Sequence, residues 1–424
     1  MIFNHQNLYL VTFHLVKQKC SFQILGNIMI RKPYTQLSKL ITHLLILLLY
    51  SSLLSIKQVE GFETKAQSAV VYDELTRTVL LEKNSQLPIP PASMSKLMTI
   101  YMIFDALKTG RLNLEDEIKV SKEAASKGGS KMFLEKGEIV SIENLIRGII
   151  IQSGNDACIA FAESLSGTER EFASEMNERA RTLGLKNSLF SNSTGWPDTN
   201  HYMTAEDLII LAVKIREDFP NLYNYFKEKS FTWNGITQSN RNPLLGLGLG
   251  ADGLKTGHPE EAGYGLVGSA KRGNRRVTFI VAGLNSSVGR ANEAEKLLKW
   301  AYRDFKAQKI AAEGEVLGAI PTWLGEKKEV SLAPNEDLFI LRPIVGDTII
   351  KSFIQYDEFM RAPFNAGDKA PAKLVVSIQS SLTEKPVLKS FDLYSSEGSE
   401  VGNFFIRIKG AAYVVYQKIL NSVN

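Results

Sequence analysis

A chain of 424 residues, 44% hydrophobic and 22% charged, is long enough for two domains with cores of their own, and its composition excludes general disorder. Its formal charge of +5 comes from the start, where residues 1–61 carry Lys17, Lys19, Arg31, Lys32, Lys39 and Lys57 against Glu60 alone. The remainder holds 44 of the 50 basic and 44 of the 45 acidic residues, a neutral balance that gives no support for nucleic-acid binding.

The first 61 residues read as a leader. From Met29 the chain runs MIRKPYTQLSKLITHLLILLLYSSLLSI, a basic segment followed by an apolar run from Leu40 to Ile56, the pattern of a secretory signal. Val59-Glu60-Gly61 is the candidate cleavage site, although no Ala-x-Ala follows. An uncleaved anchor is the competing reading, because about 17 apolar residues is the lower limit for spanning a bilayer. Residues 1–28 resemble no part of a signal, which makes Met29 the expected initiator. Cys20 falls in the leader, so Cys158 alone remains, and an intramolecular disulfide or Cys-rich zinc site is excluded. Only His201 and His258 follow the leader, so a Ser-His-Asp hydrolase would have to use one of them.

SAVVYDELTRTVLLEKN alternates as two strands joined by a short turn. Pro88, Pro90 and Pro91 then force an extended approach to Ser93. From Ser93 the spacing of Leu97, Ile100, Tyr101, Phe104 and Leu107 predicts a helix ending at Gly110, with Lys108 in its last turn. Helical segments continue through SIENLIRGIIIQ, NDACIAFAESLSG, REFASEMNERARTLGL and TAEDLIILAVKIREDF. From Gly253 strands return, with Gly273-Asn274 between two β-type runs, and ANEAEKLLKWAYRDF is again helical. Strands at both ends of the segment and helices between them predict an α+β domain, a sheet covered by helices, over residues 62–308. Short β-like runs over residues 309–401 predict a small all-β domain without a catalytic signature.

Residues 402–424 form a separate segment. Phe404, Phe405, Ile408, Ala412, Val415 and Ile419 share one helical face flanked by Arg407, Lys409 and Lys418, the profile of a helix lying in a membrane interface. A terminal helix docked on its own β domain is the other reading.

Three short motifs carry candidate chemistry. Ser93-Met94-Ser95-Lys96 puts a hydroxyl at a helix start and an amine three residues later, on the same face. The helix N-terminus favours a developing alkoxide, and burial or a second cation would lower the lysine pKa enough for it to act as a base. A capping serine with a surface lysine explains the same letters. Ser153-Gly154-Asn155 offers a hydroxyl and an amide from a helix–helix connection, or an ordinary N-cap. Lys255-Thr256-Gly257 lies on a strand, where alternation sends Lys255 and Thr256 to opposite faces and Gly257 would let a substrate backbone approach closely, or else it is an edge strand with a solvated lysine. The letters LKTG also occur at Leu107 to Gly110, where helix termination accounts for them.

Taken in this order, the three motifs resemble those of penicillin-binding proteins and serine β-lactamases. PASMSKLMT, LIRGIIIQSGNDAC and DGLKTGHPEEAGY are closer still to low-molecular-mass D-alanyl-D-alanine carboxypeptidases, peptidase family S11, over about residues 65–305. The resemblance implies a penicillin-binding transpeptidase-like domain with an antiparallel sheet, then the β domain and a membrane-associating helix. It implies that Ser93 is acylated, Lys96 is its base and Ser153 carries a proton to the leaving amine. Asn155 would hold the substrate amide, Lys255 supply charge, Thr256 and Arg290 bind the terminal carboxylate, and the N–H groups of Ser93 and His258 form an oxyanion hole. No metal or cofactor is implied. The expected partners are a peptidoglycan pentapeptide, β-lactams and the periplasmic face of the inner membrane. Thr194-Gly195-Trp196 departs from relatives that bear a histidine or another residue before Gly-Leu. A class A β-lactamase would need a deacylating glutamate, and LGLKNSLFSNSTGW offers no acidic residue. A non-hydrolytic receptor would carry signalling segments, and none is visible in the sequence.

Overall fold

The computed structural model describes residues 62–258, 263–380 and 385–412. The signal-like leader and residues 413–424, with Val415, Lys418 and Ile419 of the amphipathic segment, lie outside the described residues.

Five antiparallel strands form the central sheet: β1 (Ser68–Asp73), β2 (Thr78–Lys83), β3 (Ala251–Gly257), β4 (Tyr264–Arg272) and β5 (Arg275–Leu284), in the order β2-β1-β5-β4-β3. Both faces are covered, so the strands are apolar on both sides rather than alternating apolar and polar. Val70, Ile280 and Ala282 point into the helical core, whereas Ala69, Val71, Val277, Phe279 and Val281 point to the other face. The β4–β5 hairpin turns at Gly273, whose φ of +61° suits a glycine in a two-residue loop.

Helix α1 (Lys96–Lys108) runs through the larger core and is buried almost all round. Its predicted stripe underestimates this: Met98, Met102 and Ile103 are buried as well as Leu97, Ile100 and Phe104. The reason is that α1 is enclosed by the sheet, α2 (Ile142–Ile150), α4 (Glu169–Leu183) and α5 (Ala205–Asp218). Helix α3 (Asn155–Ser166) lies between α2 and α4. Phe104 meets Phe219 edge-on at 5.7 Å, and each such buried side chain contributes about 1.5–3 kcal/mol. The first LKTG closes α1 as expected. Gly110 takes φ +71°, its N–H reaches Leu107 O at 3.2 Å, and Arg111 N–H reaches Ala106 O at 2.9 Å, a Schellman cap.

The opposite face of the sheet is covered by α6 (Ser287–Asp304) through Leu297, Leu298 and Ala301. This helix passes without a loop into the strand Phe305–Ala311, which pairs with Leu338–Pro343. Arg275 binds the joint, donating to Ala301 O at 2.9 Å and Phe305 O at 2.6 Å while paired with Asp73 at 2.5 Å. Beyond it, a six-stranded sheet built from Gly318–Trp323, Glu329–Ala333, Thr348–Tyr356, Met360–Arg361, Lys369–Ser380 and Val387–Ser395 encloses a separate small core. Residues 404–412 are helical, with Phe404 67% and Phe405 80% exposed. Among the described residues, no helix is long and apolar enough to cross a membrane.

Candidate active site

The three prolines deliver the chain to a 3-10 turn, Ala92–Ser95, and the α-helix proper begins only at Lys96. Ser93 therefore sits in the turn ahead of α1, not at its first residue. The Lys96 ammonium donates to Ser93 Oγ at 2.9 Å and also to the Thr194 carbonyl. Lys96 is fully buried, and burial pushes its pKa down to about 8, with the charge of Arg241 acting in the same direction.

Ser153 lies in the connection between α2 and α3 at φ +60°, a left-handed conformation that costs a serine about 1–2 kcal/mol. Its hydroxyl is buried and has no partner among the described residues. Both features are costs that a functional position tolerates. Asn155 opens α3, with its N–H on Ser130 O and its side-chain amide on Gly128 O, each at 2.8 Å. Asp156, which sequence reasoning passed over, fixes that loop: its carboxylate accepts the N–H groups of Met132 (2.9 Å), Phe133 (2.8 Å) and Leu134 (3.1 Å). Its position directly after Asn155 was the one available signal. Arg241, also missed, donates to Ser130 Oγ at 2.6 Å.

Strand β3 supplies Lys255 and Thr256, and both are buried, at 3% and 5% exposure. Alternation holds across the pair, since Lys255 lies opposite Val267 and Thr256 opposite Leu266, and both are buried because both faces of the sheet are covered. Lys255 Nζ reaches to 3.3 Å from Thr256 O. Burial pushes the Lys255 pKa well down, and the charges of Lys96 and Arg241 add to the effect. Gly257 has a packing reason for being glycine: a Cβ there would stand 2.8 Å from Pro91 O and 3.0 Å from Met94 Cγ. The strand end thus docks directly on the turn that carries Ser93. His258 stacks on Tyr264 at 3.7 Å, and Arg290, in the first turn of α6, lies 5.8 Å from the same ring, its Nε without a partner among the described residues. Burial lowers the Arg290 pKa as well.

The segment Ser193–Trp196 forms the remaining wall. Asn192 Oδ1 accepts the N–H groups of Thr194 (3.1 Å), Gly195 (2.8 Å) and Trp196 (3.0 Å), and Thr99 Oγ1 donates to Ser193 O at 2.6 Å. This is what aims the Thr194 carbonyl at Lys96. An acid does reach this segment from elsewhere in the chain: Glu169 of α4 accepts from Ser193 N (3.0 Å) and Oγ (2.6 Å), which makes it a brace. Neither histidine is bonded to Ser93. His201 accepts from Ser191 N at 3.3 Å, packs edge-on to Phe190, and burial lowers its pKa to about 4. Cys158 is a buried free thiol that burial pushes up to about 12. Among the described residues, no cluster of His, Cys, Asp and Glu is arranged to hold a metal ion.

A hydroxyl bonded to a lysine of lowered pKa, beside a second buried hydroxyl and further basic side chains at a strand end, is an arrangement that can activate a serine as a nucleophile. Comparison with known proteins agrees. Residues 55–286 match the family model described as D-alanyl-D-alanine carboxypeptidase, and residues 305–402 match the C-terminal domain of penicillin-binding protein 5. The D-alanyl-D-alanine carboxypeptidase DacD of Escherichia coli is 37% identical over 312 residues, covering 72% of this chain and 80% of the relative. Penicillin-binding protein 5 of Haemophilus influenzae superposes with a TM-score of 0.74 at 34% identity, covering 81% of this chain and 99% of that one. Penicillin-binding protein D2 of Listeria monocytogenes, in an ampicillin-bound form, gives 0.52 at 28% identity, covering 57% of this chain and 98% of that one. The chain belongs to the D-alanyl-D-alanine carboxypeptidases of peptidase family S11.

Proposed function

We propose that this protein removes the terminal D-alanine from peptidoglycan stem pentapeptides through an acyl-enzyme on Ser93, and that β-lactams acylate the same serine. The observation that carries this reading is the 2.9 Å contact between Ser93 Oγ and the Nζ of a fully buried Lys96. The neutral amine takes the Ser93 proton as Oγ attacks the penultimate carbonyl carbon. The N–H groups of Ser93 and His258 receive the oxyanion. Ser153, whose hydroxyl has no other partner among the described residues, passes a proton from the Lys96 ammonium to the departing amine, and D-alanine leaves. Water then attacks the ester carbonyl and gives a proton to Lys96, which passes it to Ser93 Oγ as that oxygen leaves and the shortened peptide departs as its carboxylate.

Asn155 holds the amide of the acyl half. The terminal carboxylate binds Thr256 and Arg290, and its charge offsets the burial that disfavours the Lys255 ammonium. Gly257 acts by letting the strand approach Ser93. The family relationship and the ampicillin-bound Listeria relative support the choice of substrate and inhibitor. The reading extends to location: the signal-like leader and the amphipathic segment at 402–424 support an exported enzyme held on the periplasmic face of the cytoplasmic membrane.

The test is release of D-alanine from a pentapeptide ending in two D-alanines, alongside labelling by a fluorescent penicillin. Wild type should do both and Ser93→Ala neither. Labelling that survives Ser93→Ala removes Ser93 as nucleophile. Rapid penicillin destruction with the peptide left intact would make the protein a β-lactamase. Removal of residues 403–424 should free the processed protein from membranes, and continued tight binding would move the anchor to the leader.

A further inference from the structure

Trp196 is held rigidly and yet left open. Its N–H donates to Asn192 Oδ1 and its carbonyl accepts from Asn192 Nδ2, both at 3.0 Å, while the side chain is 43% exposed. The indole reaches across to the facing wall, where a Cβ on Gly128 or Gly129 would lie 3.6 or 3.1 Å from the ring. That same Cβ on Gly129 would be 2.8 Å from Asn155 Nδ2, so the ring stands beside the amide that grips the acyl half of the substrate. Lys127 Nζ sits 5.1 Å from the ring centroid and has no ion-pair partner among the described residues.

With the terminal carboxylate at Arg290 and Thr256, the rest of the peptide runs past Asn155 towards this tryptophan. We propose that Trp196 and Lys127 together determine specificity for the side chain of the residue that precedes the two terminal D-alanines. Trp196 provides a flat apolar surface for a long aliphatic side chain. Lys127, over the ring, adds a positive charge beside that surface, which favours a carboxylate at the tip over an amine. This rests on the carboxypeptidase reading, because that reading fixes which end of the peptide faces Trp196.

The test uses acetylated peptides X-D-Ala-D-Ala in which X is glycine, norleucine, 2-aminoadipate or lysine, with D-alanine release as the readout. Wild type should prefer norleucine to glycine and aminoadipate to lysine. In Trp196→Ala the norleucine-to-glycine ratio of kcat/KM should fall about tenfold, and in Trp196→Phe much of it should return. In Lys127→Gln the aminoadipate-to-lysine ratio should fall by about fivefold at low salt, with the norleucine-to-glycine ratio kept. A uniform loss over all four peptides in Trp196→Ala, or no change in any ratio, overturns the proposal. Wild type that releases D-alanine at rates blind to X overturns this inference alone, whereas wild type that releases none from any peptide overturns the carboxypeptidase reading with it.

Discussion

Gly195→Ala tests whether the Ser193–Trp196 wall positions the base. Gly195 sits at φ +76°, which costs an alanine about 1–2 kcal/mol. Its new Cβ would lie 2.0 Å from Ala92 O and 2.6 Å from Ser95 Oγ, against about 3.4 Å for ordinary contact, so the walls must part by roughly 1.4 Å. Neither neighbour yields easily, since Ala92 belongs to the turn that carries Ser93 and the Ser95 hydroxyl is bonded to Ala92 O at 2.9 Å. Overpacking of this kind costs a further 1–3 kcal/mol or so. A total near 3 kcal/mol lowers the melting temperature of a domain of this size by roughly 6–12 °C. The displaced Thr194 carbonyl would release Lys96, and a misplacement of about 1 Å costs on the order of 100-fold in rate. The assay is the second-order rate of acylation by a fluorescent penicillin, read beside a thermal melt. A variant that is acylated at the wild-type rate and melts with the wild type would refute the positioning argument.

The pH dependence is set by Lys96. With its pKa lowered to about 8, the neutral base grows as pH rises, so penicillin acylation should climb up to about pH 8 and flatten above it; a flat profile from about pH 6 to 9 would mean another group is the base. Lys108→Ala, at the helix terminus, should leave acylation nearly intact while Lys255→Ala lowers it by at least about tenfold, and equal effects would undo the distinction between the two LKTG copies. Asp156→Asn keeps the shape but turns an amide donor towards N–H groups that need an acceptor, which should cost at least about 2 kcal/mol and about 4–8 °C in melting temperature; an unchanged melt would show that the carboxylate does not secure the 132–134 loop.

The catalytic half of the fold was legible where local patterns have local causes. β1 and β2 lie where SAVVYDELTRTVLLEKN predicts two strands and a short turn, turn residues marked the hairpin at Gly273, and Gly110 marked the end of α1. The Ser-x-x-Lys spacing also predicted the Ser93–Lys96 contact, because one helical turn brings residues three apart together. The features that stayed hidden depend on partners distant in sequence. The Lys96 pKa is set by enclosure between α1 and the 193–196 wall, nearly a hundred positions away, and Thr194 acts through a backbone carbonyl that every residue possesses. Gly257 was read as a place for close backbone approach, and its contact with Pro91 and Met94, distant in sequence, was not foreseen. The hairpin of Ser230–Trp233 and Ile236–Ser239 was not anticipated at all; its strands are short and largely exposed, so they carry little apolar alternation. Glu169 and Asp156 were missed for a related reason: a carboxylate that serves as a brace has no spacing rule.

The loop-free passage from α6 into Phe305–Ala311 has a consequence for how the chain tolerates changes in length. Each residue added to a helix rotates the downstream chain by about 100° and advances it by about 1.5 Å. An insertion near Asp304 would swing the whole β-rich half around the helix axis and pull Phe305 O away from Arg275, which also grips Asp73 in the central sheet. The two halves are geared together at this point. A length change that the Gly273 turn absorbs as a larger loop becomes, at Asp304, a rotation of one half of the molecule against the other.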